Sequence, residues 1–272
     1  MFTRGRTAIT VFRMEDTIVL QRDGAIATVV LNRPDRLNAL TRAMWVRLGH
    51  VFDQLDADDD LRCIVIRGAG TKAFAPGNDI SEFESERSNV AQARAYGDDM
   101  RRAIESIGRC RHPIVAQIHG ICVGGGLELA SLADLRICGE SSRFGVPINK
   151  LGLVMSHAEL GALIALVGEA TALEIVLEGR IFDAREAKDK RLVTRVVADD
   201  QVEAEARATA QRIADGAPLV ARWHKKFARR LRDRAPLSDA EHDEGFACFD
   251  TEDFRIGYRS FLAKQRPVFR GR

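Results

Sequence analysis

The chain is short of the residues that build several common classes of protein. Only 6% of its 272 residues are aromatic, seven are proline, and five cysteines (Cys63, Cys110, Cys122, Cys138, Cys248) lie scattered along it. Without a CxxC pair or a Cys/His ligand spacing, no disulfide framework and no metal site is expected, and the thiols read as reduced and buried. No apolar run approaches the ~18 residues of a spanning helix, so no membrane partner is expected. Neither sign of charge dominates: 41 basic against 39 acidic side chains leave +2, too weak a field to gather nucleic acid. Walker and GxGxxG spacings are missing, and the acidic loop from Asp56 to Asp60 lacks the ligand-and-glycine pattern of a calcium loop. These absences leave a globular chain, expected in the cytoplasm, with enough hydrophobic content (46%) for one large core and an appendage.

What is present is an alternation. TIVLQRDGAIATVVLNRP reads as two strands joined across Asp23 and Gly24 and stopped at Asn32, Arg33 and Pro34. Thr41 caps an amphipathic helix with the stripe Met44, Trp45, Leu48, Phe52, Leu55. The pattern recurs with LRCIVIRGAG, a helical stretch near 88–109, PIVAQIHG, a glycine run, a short helix and LRIC. Such alternation predicts an α/β fold of repeated strand and helix units. From about residue 200 every segment has helical periodicity. In LVARWHKKFARRLRD, Trp223, Phe227 and Leu231 mark an expected buried face, and Arg222, Lys225, Lys226, Arg229 and Arg230 an expected solvated one. The expected division is a tail at 1–15, a core at 16–200 and a helical region at 201–272.

Two glycine-rich segments carry the chemistry. KAFAPGNDI (72–80) follows a predicted strand, and GGGLELA (124–130) joins a strand to a helix. Glycines at a helix start leave backbone N–H groups bare, and the helix dipole favours negative charge there. A phosphate suits such a place. The developing charge on a carbonyl oxygen suits it equally, if a second N–H converges from the loop around Gly77. Glu128, three residues after Gly125, complements the dipole and can close a capping box. It is also placed for general-base work beside a polarised carbonyl.

These residues resemble the crotonase superfamily, the enoyl-CoA hydratase/isomerase family. The resemblance runs from about Ile18 to Phe269 and rests on six segments in order: LNRPDRLNAL, IRGAGTKAFAPGNDI, PIVAQIHGICVGGGLELASLADLRI, FGVPINKLGL, LEGRIFDAREAKDKRLVTRVV and TEDFRIGYRSFLAKQRPVF. It implies a spiral of ββα units with a helical C-terminal trimerisation region, a homotrimer or dimer of trimers, and an acyl-CoA thioester as ligand. No separate cofactor is implied, because coenzyme A is part of the substrate. The oxyanion hole would be the N–H groups of Asn78 and Gly125. Leu37, Asn38, Ala39, Leu40, Ala73 and Ala75 match the segments along the adenine and pantetheine path. Phe261 and Lys264 match residues that a neighbouring subunit brings to the coenzyme A site.

The family pattern breaks in three places. Its hydratases have a second glutamate after the proline of FGVPINKLGL, where this chain has Ile148, which cannot transfer a proton. Losing one acid–base group commonly costs ~10²–10⁴ in rate. In the following stretch, often glycine-rich in the family, stand Ser156, His157 and Glu159. Ser156 and Glu159 have capping-box spacing, and His157 is the expected replacement acid. Arg191 stands where the family has glycine; a left-handed backbone there costs roughly 1 kcal/mol. The implied activity is hydration of a 2-enoyl-CoA. Decarboxylation or thioester hydrolysis on the same site, and an acyl-CoA-binding oligomer without turnover, are the alternatives.

Overall fold

A computed structural model describes residues 16–272; the tail expected at 1–15 lies outside them. The Asp23–Gly24 turn closes the hairpin its sequence calls for, with β1 (Ile18–Asp23) antiparallel to β2 (Ile26–Leu31) and Gly24 at φ 57°. Helix α1 (Arg42–Asp56) follows, its first turn capped by Thr41, whose hydroxyl accepts the Met44 N–H at 3.2 Å. The expected stripe from Met44 to Leu55 is buried.

Thereafter each turn of the chain gives one strand to each of two sheets. β3 (Cys63–Gly68) and β4 (Ala73–Ala75) lead into α2 (Phe83–Glu86) and α3 (Val90–Arg109). β5 (Ile114–Ile118) and β6 (Ile121–Val123) lead into α4 (Gly125–Ser131). β7 (Leu135–Gly139) and β8 (Arg143–Gly145) lead into α5 (His157–Val167) and α6 (Glu169–Glu178). β9 (Phe182–Asp183), α7 (Ala184–Asp189) and β10 (Arg195–Val197) close the series. The larger sheet has the order β1-β2-β3-β5-β7-β10 and the smaller β4-β6-β8-β9. All pairs are parallel except β1 with β2 and β8 with β9. This is the expected spiral of ββα units. Its parallel strands are buried on both faces, which explains the continuous apolar runs of β3 and β5.

After β10 come α8 (Val202–Ala214), α9 (Pro218–Arg230), α10 (Asp239–Glu244) and α11 (Glu252–Leu262). α8 belongs to the core despite lying beyond residue 200: Ala206 and Ala210 pack on Cys63, Val65, Val115 and Ile137 of the sheet. Among the described helices none is long and apolar enough to cross a membrane. Arg191, after α7, is left-handed at φ 59°.

Helix α9 reverses the expectation drawn from its pattern. Lys225 is buried, with Nζ 2.6 Å from Asp134 Oδ2 and 2.6 Å from the His112 carbonyl oxygen. Arg222 and Arg229 also turn inward and donate to backbone carbonyls of Asp59 and Cys110. Trp223 and Phe227 are only half-buried and Leu231 is 66% exposed. The long basic side chains reach carbonyls and a carboxylate that a shorter side chain cannot, so the polar face docks and the apolar one is left outside. Phe246 on the following segment and Phe261 and Leu262 on α11 extend that apolar surface.

Removing one partner of a buried pair strands the other. Lys225→Met is therefore expected to lower unfolding free energy by about 2 kcal/mol, below the ~3–5 of a fully enclosed pair because Asp134 keeps some solvent. Adding Asp134→Asn, which keeps an acceptor for the Ile114 N–H, should recover part of that loss. Denaturant midpoints of the single and double variants test this; a neutral single variant would contradict it.

Candidate functional site

The site is built where the loop after β4 meets the start of α4. Leu40 and Asn78 form a parallel bridge, in which the Leu40 N–H donates to Gly77 O at 2.9 Å and the Asp79 N–H to Leu40 O at 2.8 Å. That pattern uses the groups flanking Asn78 and turns the Asn78 N–H itself to the other side. Gly125 opens α4, so its N–H has no carbonyl one turn earlier to bond. Among the described residues neither N–H has an acceptor, and both residues line one cavity.

Two glycines make the approach possible. Gly77 is at φ 119°, and a Cβ there would lie 3.4 Å from Gly125 N. A Cβ on Gly126 would fall 2.1 Å from Ala75 O, so the first turn of α4 rests directly on β4. The Asn78 side chain is fixed from behind: Trp45 Nε1, on the wholly buried Trp45 indole, donates to Asn78 Oδ1 at 2.7 Å.

Glu128, one turn into α4, is 6% exposed, and its Oε2 is buried without a hydrogen-bond partner. Glu159, on the first turn of α5, lines the same cavity and accepts the Ser156 N–H at 2.5 Å. Burial pushes the Glu128 carboxyl well above its ordinary 4.5; the charge of Glu159 and a hydrogen bond between the two carboxyl groups raise it further, while Arg87 opposes the rise. Glu128 thus favours its protonated form.

The structure therefore brings together Asn78, Gly125, Glu128 and Ile148, in a cavity of about 150 Å³. His157 is not among them. It is the first residue of α5 and exposed, and the carboxylate that faces Glu128 comes from two positions on. Ser156 is also exposed and caps α5 with Glu159, so the capping reading and the cavity reading of Glu159 hold together.

Leu37, Asn38, Ala39, Leu40, Ala73 and Ala75 lie behind the cavity wall and do not line it. Leu37 and Asn38 are left-handed, at φ 53° and 64°. The buried Asn38 side chain donates to Ala69 O at 3.1 Å and Ala73 O at 2.8 Å, tying the 33–40 loop to the turn before β4. Phe261 and Lys264, at the end of α11, are exposed and outside the cavity. Sequence reasoning passed over Arg87, Ile80 and Phe83, which also line it. Ile80 ends the KAFAPGNDI segment, whereas Phe83 and Arg87 sit in a stretch with no motif, so no signal singled out those two. Among the described residues no group of three His, Cys, Asp or Glu side chains suits a metal ion.

Two free N–H donors on the wall of a cavity that also holds buried Glu128 and half-buried Glu159 can stabilise an oxyanion and move protons next to it. Comparison with known proteins points the same way. The sequence profile of the enoyl-CoA hydratase/isomerase family matches residues 21–272. A protein of Mycobacterium tuberculosis named "Probable enoyl-CoA hydratase echA8" is 34% identical over 257 residues, covering 93% of this chain and 98% of that protein. The short-chain-enoyl-CoA hydratase of Clostridium acetobutylicum is 28% identical over 253 residues, 92% of this chain and 96% of its own. A crystal structure described as an enoyl-CoA hydratase/carnithine racemase from Magnetospirillum magneticum is 53% identical with a TM-score of 0.93, over 94% of this chain and 96% of that one.

Burial of Glu128 carries a stability signature. With its carboxyl raised in the fold, the native chain holds more protons than the unfolded one above pH 4.5, so stability falls as pH rises through that window toward the folded value. Glu128→Gln cannot ionise and escapes the loss. The melting temperature of Glu128→Gln relative to the parent chain is expected to climb between acidic and neutral pH. A difference independent of pH would remove the buried-acid assignment.

Proposed function

The chain belongs to the enoyl-CoA hydratase/isomerase family, and from the geometry of its site we propose that it adds water across the double bond of a short 2-enoyl-CoA, with Glu159 supplying the second carboxylate that Ile148 cannot. The observation that carries this reading is that Glu128 and Glu159 line one cavity with Asn78 and Gly125, whose N–H groups are free. A cavity of about 150 Å³ is of the size that takes up a benzene-sized group, which favours a short acyl chain.

In the proposed reaction the thioester oxygen lies between the Asn78 and Gly125 N–H groups, so charge moving onto it is stabilised as the enolate forms. Glu159 takes a proton from water while the water oxygen bonds to C3 of the acyl group. The π electrons move toward the thioester carbonyl. Protonated Glu128 then gives its proton to C2 as the enolate collapses. The net change is one water added, with the proton now on Glu159. Return of that proton to Glu128, through the solvent in the cavity, completes the cycle. His157 takes no part in this scheme. Decarboxylation has no use for the second acid, and an inert binder has none for either.

Two further expectations belong to this proposal. Coenzyme A is held as part of the substrate, along the backbone of Leu37 to Leu40 with Ala73 and Ala75, and with Phe261 and Lys264 contributed by a neighbouring subunit. The homotrimer, or dimer of trimers, that this requires is supported by the exposed apolar surface of α9 and α11, where Phe261 is 83% and Leu262 75% exposed.

Loss of the conjugated-thioester absorbance of crotonyl-CoA measures the reaction. Glu128→Gln and Glu159→Gln should each slow it by about 10²–10⁴, and His157→Ala by less than about twofold, in the range of an exposed residue outside the site. A His157→Ala defect as large as that of Glu159→Gln would reverse the roles assigned here.

A further inference from the structure

Arg87 is a cation without a counter-ion in the wall of this cavity. Its Nε is buried with no acceptor, and no carboxylate among the described residues forms an ion pair with it. Its guanidinium lies 4.8 Å from the centroids of both the Phe83 and Tyr96 rings, which hold it by cation–π attraction. The segment that carries it is fixed as well. Arg42 bonds Glu86 at 2.8 Å and Asp99 at 2.7 Å, and the Arg42 N–H donates to Glu82 at 2.9 Å. Arg87 is therefore positioned by aromatic faces and by the anchoring of its neighbours.

The other charged groups lining the cavity are Glu128 and Glu159. Neither is bonded to Arg87. Glu128 feels the Arg87 charge, but its Oε2 has no hydrogen-bond partner, and Glu159 accepts from the start of its own helix. The remaining wall is apolar, including Ile80, Phe83, Leu153 and Met155. A partly desolvated guanidinium in such a wall is costly until an anion meets it, and its planar fork matches a carboxylate in two parallel hydrogen bonds.

Resting on the acyl-CoA reading of this cavity, we infer that its preferred thioesters carry a carboxylate of their own at the far end of a short acyl chain, and that Arg87 is the residue that receives it. Arg87 is then a specificity-determining residue that takes no part in the proton transfers, and it makes an acidic acyl group a better ligand than an apolar one of equal length.

The test compares glutaryl-CoA with pentanoyl-CoA, chains of the same carbon count ending in a carboxylate and a methyl group, by calorimetric titration of the intact protein. Glutaryl-CoA is expected to bind at least about tenfold more tightly, about 1.4 kcal/mol. The ratio should fall to about one in Arg87→Met, which keeps an apolar stem between the two rings, and to an intermediate value in Arg87→Lys. Equal affinities in the parent chain, or a preference that survives Arg87→Met, would overturn the inference. Crotonyl-CoA turnover, followed in parallel, separates the two proposals. Glutaryl-CoA preference with turnover of neither crotonyl-CoA nor glutaconyl-CoA, a 2-enoyl thioester that ends in a carboxylate, would overturn hydration and keep carboxylate recognition. Turnover without the preference would do the reverse, and binding of neither thioester would overturn both.

Discussion

Everything in the site depends on how closely the tip of α4 approaches the strand and loop before it. The first turn of α4 lies on Ala75 with no room for a side chain at Gly126, and this contact sets the distance between the Gly125 and Asn78 N–H groups. Both donors are backbone atoms, so no side-chain choice can move one toward the other. Only the packing of two loops can. Hence the fold spends its glycines there, and hence Trp45, from a helix remote in sequence, reaches across to hold Asn78. Donors fixed this way need little rearrangement when a negative charge meets them.

The same close packing accounts for the state of Glu128. A carboxyl on the first turn of a helix would ordinarily be favoured as the anion by the dipole. Here burial outweighs the dipole, and the second acid across the cavity adds to the burial. An unpartnered buried polar atom costs roughly 1–3 kcal/mol, and the core around it is extensive enough to carry that loss.

Much of this was legible in the sequence, because local chemistry dictated it. The Asp23–Gly24 hairpin, the Thr41 cap, the ββα repeat and the glycine-rich tips of the site follow from turn, cap and periodicity rules that act over a few residues. Which residue of Ser156, His157 and Glu159 faces Glu128 did not follow. Adjacent helix positions differ by about 100°, so His157 and Glu159 point about 200° apart. The sequence shows that one faces inward if the other faces out, without showing which, because the phase of α5 is set by its packing against α4. Arg87 was illegible for a related reason: its place is decided by Arg42 pinning Glu82, Glu86 and Asp99 from another helix. The inverted docking of α9 misled the periodicity argument, since hydrophobic stripes mark a buried face without saying whose surface buries it.

That inverted helix has a consequence for the solubility of the chain. Arg222, Lys225 and Arg229 are already committed to the chain's own carbonyls and Asp134, so Lys226, paired with Glu244, is a charge left at the surface beside half-buried Trp223 and Phe227 and exposed Leu231. An apolar face left this way raises the cost of keeping the folded chain dispersed, whatever the stability of its core.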